Sequence, residues 1–145
     1  MRVARFFLAC FSLVLVSFCG ARELQAFSSD GCSAFPDGTF EQKELWLHCC
    51  TQHDFAYWQG GTYQQRKQAD KSLQLCVEQV GRKDVAIMML AGVRVGGSPF
   101  WPTKFRWGYG WRYPRFYGKL SAEELKKIQM AIDSARPDTK KAVSD

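Results

Sequence analysis

Hydrophobic positions along the chain fall into separate patterns, with clear punctuation between them. An apolar run from Phe6 to Phe18 follows Arg2 and Arg5 and ends at the small residues Gly20 and Ala21. That order predicts a secretory signal peptide over residues 1–21, cleaved after Ala21. The run is about 13 residues long, short of the ~20 that a membrane span needs. Further on, Thr39 followed three residues later by Gln42 reads as a capping box, and Glu41 and Glu44 add negative charge to the first turn. Helical periodicity then extends to Gln59, where Gly60 and Gly61 stop it. Thr62 with Gln65 repeats the device and predicts a second helix from Tyr63 to Val80, with Ala69, Leu73, Cys76 and Val80 at helical spacing before Gly81. The two-glycine break predicts an antiparallel hairpin. Asp84 to Val93 predicts a short apolar helix, broken by Gly96-Gly97-Ser98-Pro99. Ser121 with Glu124 opens a last helix to about Ser134, followed by a loose polar tail over residues 136–145. With no internal repeat and no convincing strand pattern, the expectation is a single mainly α domain over residues 22–135.

Export changes the meaning of the cysteines. Cys10 and Cys19 fall within the leader, which leaves Cys32, Cys49, Cys50 and Cys76. Four cysteines in an exported chain of this size predict two disulfides. A bridge between the neighbours Cys49 and Cys50 is strained, so each is expected to reach a different distant cysteine. The expected location is outside the cell or in the periplasm. Without Arg2 and Arg5, 18 basic residues face 14 acidic ones. That small excess argues against a nucleic-acid partner.

The hairpin allows a geometric statement about the chain's two histidines. If Cys49 is bridged to Cys76, four residues forward to His53 travels ~6 Å, and six residues back to Asp70 travels ~9 Å in the same direction. His53 and Asp70 then lie near each other on facing helices, and Cys32 is left to pair with Cys50. An imidazole with a carboxylate partner suits general-base catalysis, because the carboxylate fixes the tautomer and stabilises the imidazolium. His48 lies five residues from His53, so the pair of histidines at i and i+4 that binds zinc is not available.

The run Cys49-Cys50-Thr51-Gln52-His53-Asp54-Phe55-Ala56-Tyr57 resembles the active-site helix of the secreted phospholipase A2 superfamily. Asp30-Gly31-Cys32-Ser33-Ala34-Phe35-Pro36-Asp37-Gly38 resembles the preceding loop of its prokaryotic and fungal branch. The resemblance covers roughly residues 28 to 80. It implies a disulfide-linked antiparallel helix pair and a calcium-dependent hydrolase that cleaves the sn-2 ester of glycerophospholipids. In that reading His53 is the base that activates water, Asp70 orients it and Tyr57 hydrogen-bonds within the pair. Asp54 is implied as a calcium ligand, with the Asp37 carboxylate and the Gly38 carbonyl as further ligands. Oxygen donors of this kind suit a hard cation. The chain departs from the family in its short loop after Pro36, in lacking the glycine-rich calcium loop of the animal enzymes, and in Ala56, where those enzymes have a cysteine.

The resemblance does not reach the stretch from Phe100 to Tyr117, where nine of eighteen residues are aromatic and Lys104, Arg106, Arg112 and Arg115 are interleaved with no acid. One reading is a platform at the surface of a phospholipid membrane, formed by Trp101, Trp107, Trp111, Arg106 and Arg112. The same residues support a different class of function, a non-catalytic module that binds a membrane or a partner through this segment. The other reading is that the rings pack under the helix pair and complete a small core.

Overall fold

The computed structural model describes residues 22–136, so the expected signal peptide and residues 137–145 of the expected tail lie outside the described residues. Four helices account for the regular structure: α1 (Leu47–Gln59), α2 (Tyr63–Gln79), α3 (Lys83–Gly96) and α4 (Ala122–Ala135). Among the described residues the only β pairing is an isolated bridge between Leu24 and Trp111. The fold is mainly α, and none of these helices is long and apolar enough to cross a membrane.

Two capping boxes form as the pattern predicts. Thr62 caps α2 with Gln65, and Ser121 caps α4 with Glu124; in each the side chain and backbone exchange hydrogen bonds in both directions. The Thr39 device behaves differently. Thr39 Oγ1 does accept the Gln42 N–H at 3.0 Å, yet α1 begins only at Leu47. The Gln42 carbonyl is taken by the N–H groups of Thr39 and Leu45, while the Trp46 N–H turns to the Asp37 carbonyl and its indole N–H to the Pro36 carbonyl. These bonds close a loop and leave no i to i−4 ladder over residues 39–46. The third helix is longer than its pattern suggests, running to Gly96.

Two disulfides staple the helices: Cys32–Cys50 ties the upstream loop to α1, and Cys49–Cys76 ties α1 to α2. With His53 ahead of Cys49 meeting Asp70 behind Cys76, α1 and α2 run antiparallel. One core lies beneath the staples, where Trp46, Leu73, Val77, Val85, Ala86 and Met89 join α1, α2 and α3. A second core at the far end of α1 gathers Trp58, Trp111 and Ile128, with Leu24 and Leu120 against them.

The aromatic-rich segment closes that far end. A helix C-terminus leaves its last carbonyls without partners, and here they are capped from outside. The Tyr57 carbonyl accepts the Gly108 N–H at 2.7 Å, the Trp58 carbonyl accepts the Gly110 N–H at 3.2 Å, and the Gln59 carbonyl accepts the Trp111 indole at 2.7 Å. The Trp107 indole donates to the Gly61 carbonyl at 2.9 Å. Gly60, at φ 72°, lets the backbone turn here, and a Cβ on it would come within 3.0 Å of the Gly108 Cα.

This arrangement corrects the interfacial reading for three of its five residues. Trp107 and Trp111 are 2 % and 0 % exposed, and Arg106 is also buried. Their polar atoms are consumed inside: Arg106 Nη2 donates to the Trp111 carbonyl at 2.6 Å, and its guanidinium lies over the Tyr113 ring. Burial holds Arg106 below the usual guanidinium range. Trp101 and Arg112 are exposed.

Candidate functional site

The staple at Cys49–Cys76 and one turn of α1 bring His53 to Asp70, with Nε2 3.1 Å from Oδ1. Asp70 is fully buried and His53 is 8 % exposed. A carboxylate can only accept, so Nε2 carries the proton and Nδ1 keeps its lone pair. Among the described residues Nδ1 has no protein partner.

Asp70 is held by four groups. The Tyr57 hydroxyl, one turn beyond His53, donates to Oδ1 at 2.6 Å, and the Arg94 Nε lies 2.7 Å from Oδ2 as an ion pair off the hydrogen-bond axis. Arg66, at i−4 on the same helix, places its Nε 4.0 Å from Oδ2. Arg66 also donates to the Tyr57 hydroxyl at 3.0 Å, to the Tyr117 hydroxyl at 2.6 Å and to the carbonyls of Val93 and Arg94. Burial, reinforced by Asp70, pushes the Tyr57 phenol far above its ordinary range, so it remains a donor. The His53 and Tyr57 rings lie 4.1 Å apart, and Gly97 gives the tyrosine room, because a Cβ there would stand 2.5 Å from its oxygen.

His53 lines a cavity of about 320 Å³. His53, Asp54 and Tyr57 line it together with apolar groups from three elements: Phe35 from the upstream loop, Leu73 from α2, and Met88 and Val93 from α3. Such a wall accepts an aliphatic chain.

Asp54 stands on the same wall. Its Oδ2 accepts the Ser29 hydroxyl at 2.6 Å. Burial pushes its carboxyl up to about 6, with Asp30 adding like charge, against the opposing pull of Ser29 and His53. A partly buried carboxylate with a second acid and a hydroxyl nearby suits a hard divalent cation. The loop residues that share the cavity with Asp54 are Gly31 to Phe35. Asp37 and Gly38 do not line it, and Asp37 Oδ1 is used by the Cys32 N–H at 2.8 Å. The oxygens that share the cavity wall with Asp54 thus come from Gly31 to Phe35, with Asp37 packed behind Gly31.

No protein-family model, curated protein or solved structure matches the chain. The site is therefore read from its own chemistry. Three of its residues escaped the sequence reading. Arg66 had a local signal, the i to i+4 spacing to Asp70. Arg94 and Ser29 reach the site only through tertiary packing, from 24 and 25 residues away respectively. His48, Cys49 and Cys76 do place potential ligand atoms within 4.8 Å of one another, but both sulfurs are joined in the disulfide and offer no thiolate.

Proposed function

We propose that the chain is an exported, calcium-dependent hydrolase of the phospholipase A2 kind, acting on the sn-2 ester of glycerophospholipids. The observation that carries the reading is a buried His–Asp pair whose histidine lines an apolar cavity with Asp54 beside it. Perturbed titratable groups gathered in an apolar cleft are characteristic of catalytic sites.

The acyl chain lies along Phe35, Leu73, Met88 and Val93, which sets the ester next to His53. His53 Nδ1 takes a proton from a water molecule as the water oxygen attacks the ester carbonyl. The imidazolium that forms is stabilised by Asp70 through Nε2–H. Collapse of the tetrahedral intermediate breaks the bond to the glycerol oxygen, which leaves with the proton from Nδ1. No acyl-enzyme is formed. Tyr57, Arg66 and Arg94 hold the Asp70 carboxylate in place. Asp54, with oxygens of segment 29–35, would hold calcium, whose chemistry is to bind a lipid phosphate and polarise the ester carbonyl.

The test uses vesicles of a phospholipid whose two acyl chains differ, incubated with the purified protein in calcium or in chelator. Release of the sn-2 chain in calcium alone is expected. Release of the sn-1 chain, or equal release in chelator, would contradict the proposal.

A further inference from the structure

One exposed side chain of α1 turns back onto the fold. His48, in the first turn of the helix, is exposed and free to point into water. Its Nε2 instead lies 3.4 Å from Cys49 Sγ and 3.5 Å from Cys76 Sγ. These sulfurs are its only side-chain partners among the described residues. A single imidazole nitrogen thus sits against both ends of the bond that ties α1 to α2.

That bond is within reach of a reductant. Cys76 is partly exposed, and Cys49 and Cys76 line a surface cleft with Gln52, Gln65, Gln68 and Ser72. A dithiol reductant attacks there in two steps. Its first thiolate bonds to Cys76 Sγ as the sulfur–sulfur bond breaks, and Cys49 Sγ leaves with the electron pair. Its second thiolate then closes on the first sulfur and expels Cys76 Sγ. Two electrons and two protons pass to the protein, Cys49 and Cys76 end as thiols, and the reductant ends as a disulfide.

We infer that in this reduced state Cys49, Cys76 and His48 form a zinc site that holds α1 to α2 in place of the disulfide. Two thiolates and an imidazole are a donor set of structural zinc centres. Soft thiolates select zinc over calcium, the reverse of the oxygen donors around Asp54. Ligand atoms about 2.0–2.3 Å from a tetrahedral zinc stand roughly 3–4 Å from one another, and these three already lie within 4.8 Å of one another. Among the described residues no other three His, Cys, Asp or Glu side chains converge in this way. Zinc displaces the two thiol protons as it binds. Water, or Glu44, which lines a shallow cleft with His48, completes the four ligands. The helix register that sets His53 against Asp70 then survives without the covalent bond. Disulfides form in an oxidising compartment; until the chain is oxidised the metal is its staple, and oxidation of the two thiolates expels it. None of this depends on the phospholipase reading.

The experiment reduces the purified protein with a phosphine under anaerobic conditions and titrates it with zinc, and with cobalt(II) as a coloured stand-in. Reduced wild type is expected to take up one equivalent, with a tetrahedral cobalt spectrum whose charge-transfer intensity reports two thiolates. Zinc should raise its melting temperature and preserve its helix content, while the oxidised protein takes up none. His48→Ala, an exposed substitution, is expected to weaken uptake by at least the ~10–100-fold that loss of an outer partner of a metal site costs. No uptake by reduced wild type, equal uptake by the oxidised protein, an affinity unchanged in His48→Ala, or a cobalt spectrum reporting four thiolates would each overturn the proposal. The last result would mean that an unfolded chain gathers metal through all its cysteines.

Discussion

The second half of α1 meets two polar environments of opposite kind. On its α2 side, His53 and Tyr57 face a fully buried carboxylate surrounded by guanidinium groups. At its C-terminus, the carbonyls of Tyr57, Trp58 and Gln59 are capped by neutral N–H groups of the aromatic segment. The neutral cap is sealed in the interior and does what any helix end requires. The charged cluster is the more costly construction, because burying a carboxylate demands compensation that an apolar core would not need. Cost alone does not imply function, but two members of this cluster, His53 and Tyr57, line the cavity. The contrast separates polar groups that hold the fold from polar groups available for chemistry.

Substitutions can break this contrast from either side. The largest stability effect is expected at Arg66. Arg66→Met takes away one of the two guanidinium groups beside Asp70 and removes the link to Tyr57, Tyr117 and two carbonyls, which should cost about 3–5 kcal/mol in chemical denaturation. A loss under 1 kcal/mol would mean that Arg94 alone suffices. On the neutral side, Trp111→Phe keeps most of the ring and deletes the indole N–H that caps Gln59. Leaving that part-buried carbonyl unpaired should cost about 1 kcal/mol, with hydrolysis per folded molecule unchanged.

The smallest effect is a pH dependence at Asp54. Its carboxyl titrates at about 6 in the fold against 3.8 ordinarily, so the folded state favours the protonated form. The resulting contribution to stability is fully present below pH ~4 and is lost as pH rises through ~6. Asp54→Asn removes this dependence. In chelator the variant should melt above wild type at pH 8 and with it at pH 4, while calcium no longer raises its melting temperature. Identical melting curves at both pH values would place Asp54 in ordinary solvent.

What the sequence disclosed follows the same division. Capping boxes at Thr62 and Ser121 were legible because their bonds are local. The His53–Asp70 pair was legible because the cysteine spacing on two helices constrains it. Thr39–Gln42 has the same local signature and makes the same side-chain bond, yet the Asp37 carbonyl captures Trp46 and no helix follows. The aromatic segment offered two readings, platform or core, and composition could not choose between them. The choice lay in the unpaired carbonyls at the end of α1, a demand made by one segment and met by another 52 residues later. Arg94 was hidden for the same reason.

The most direct measurement compares His53→Ala with Trp111→Phe in the mixed-chain vesicle assay, each corrected for its folded fraction. The account predicts that His53→Ala, with disulfides and helix content intact, loses about 10²–10⁴-fold in sn-2 hydrolysis, while Trp111→Phe melts earlier and turns over as wild type does. Sn-2 hydrolysis that survives in His53→Ala would contradict it.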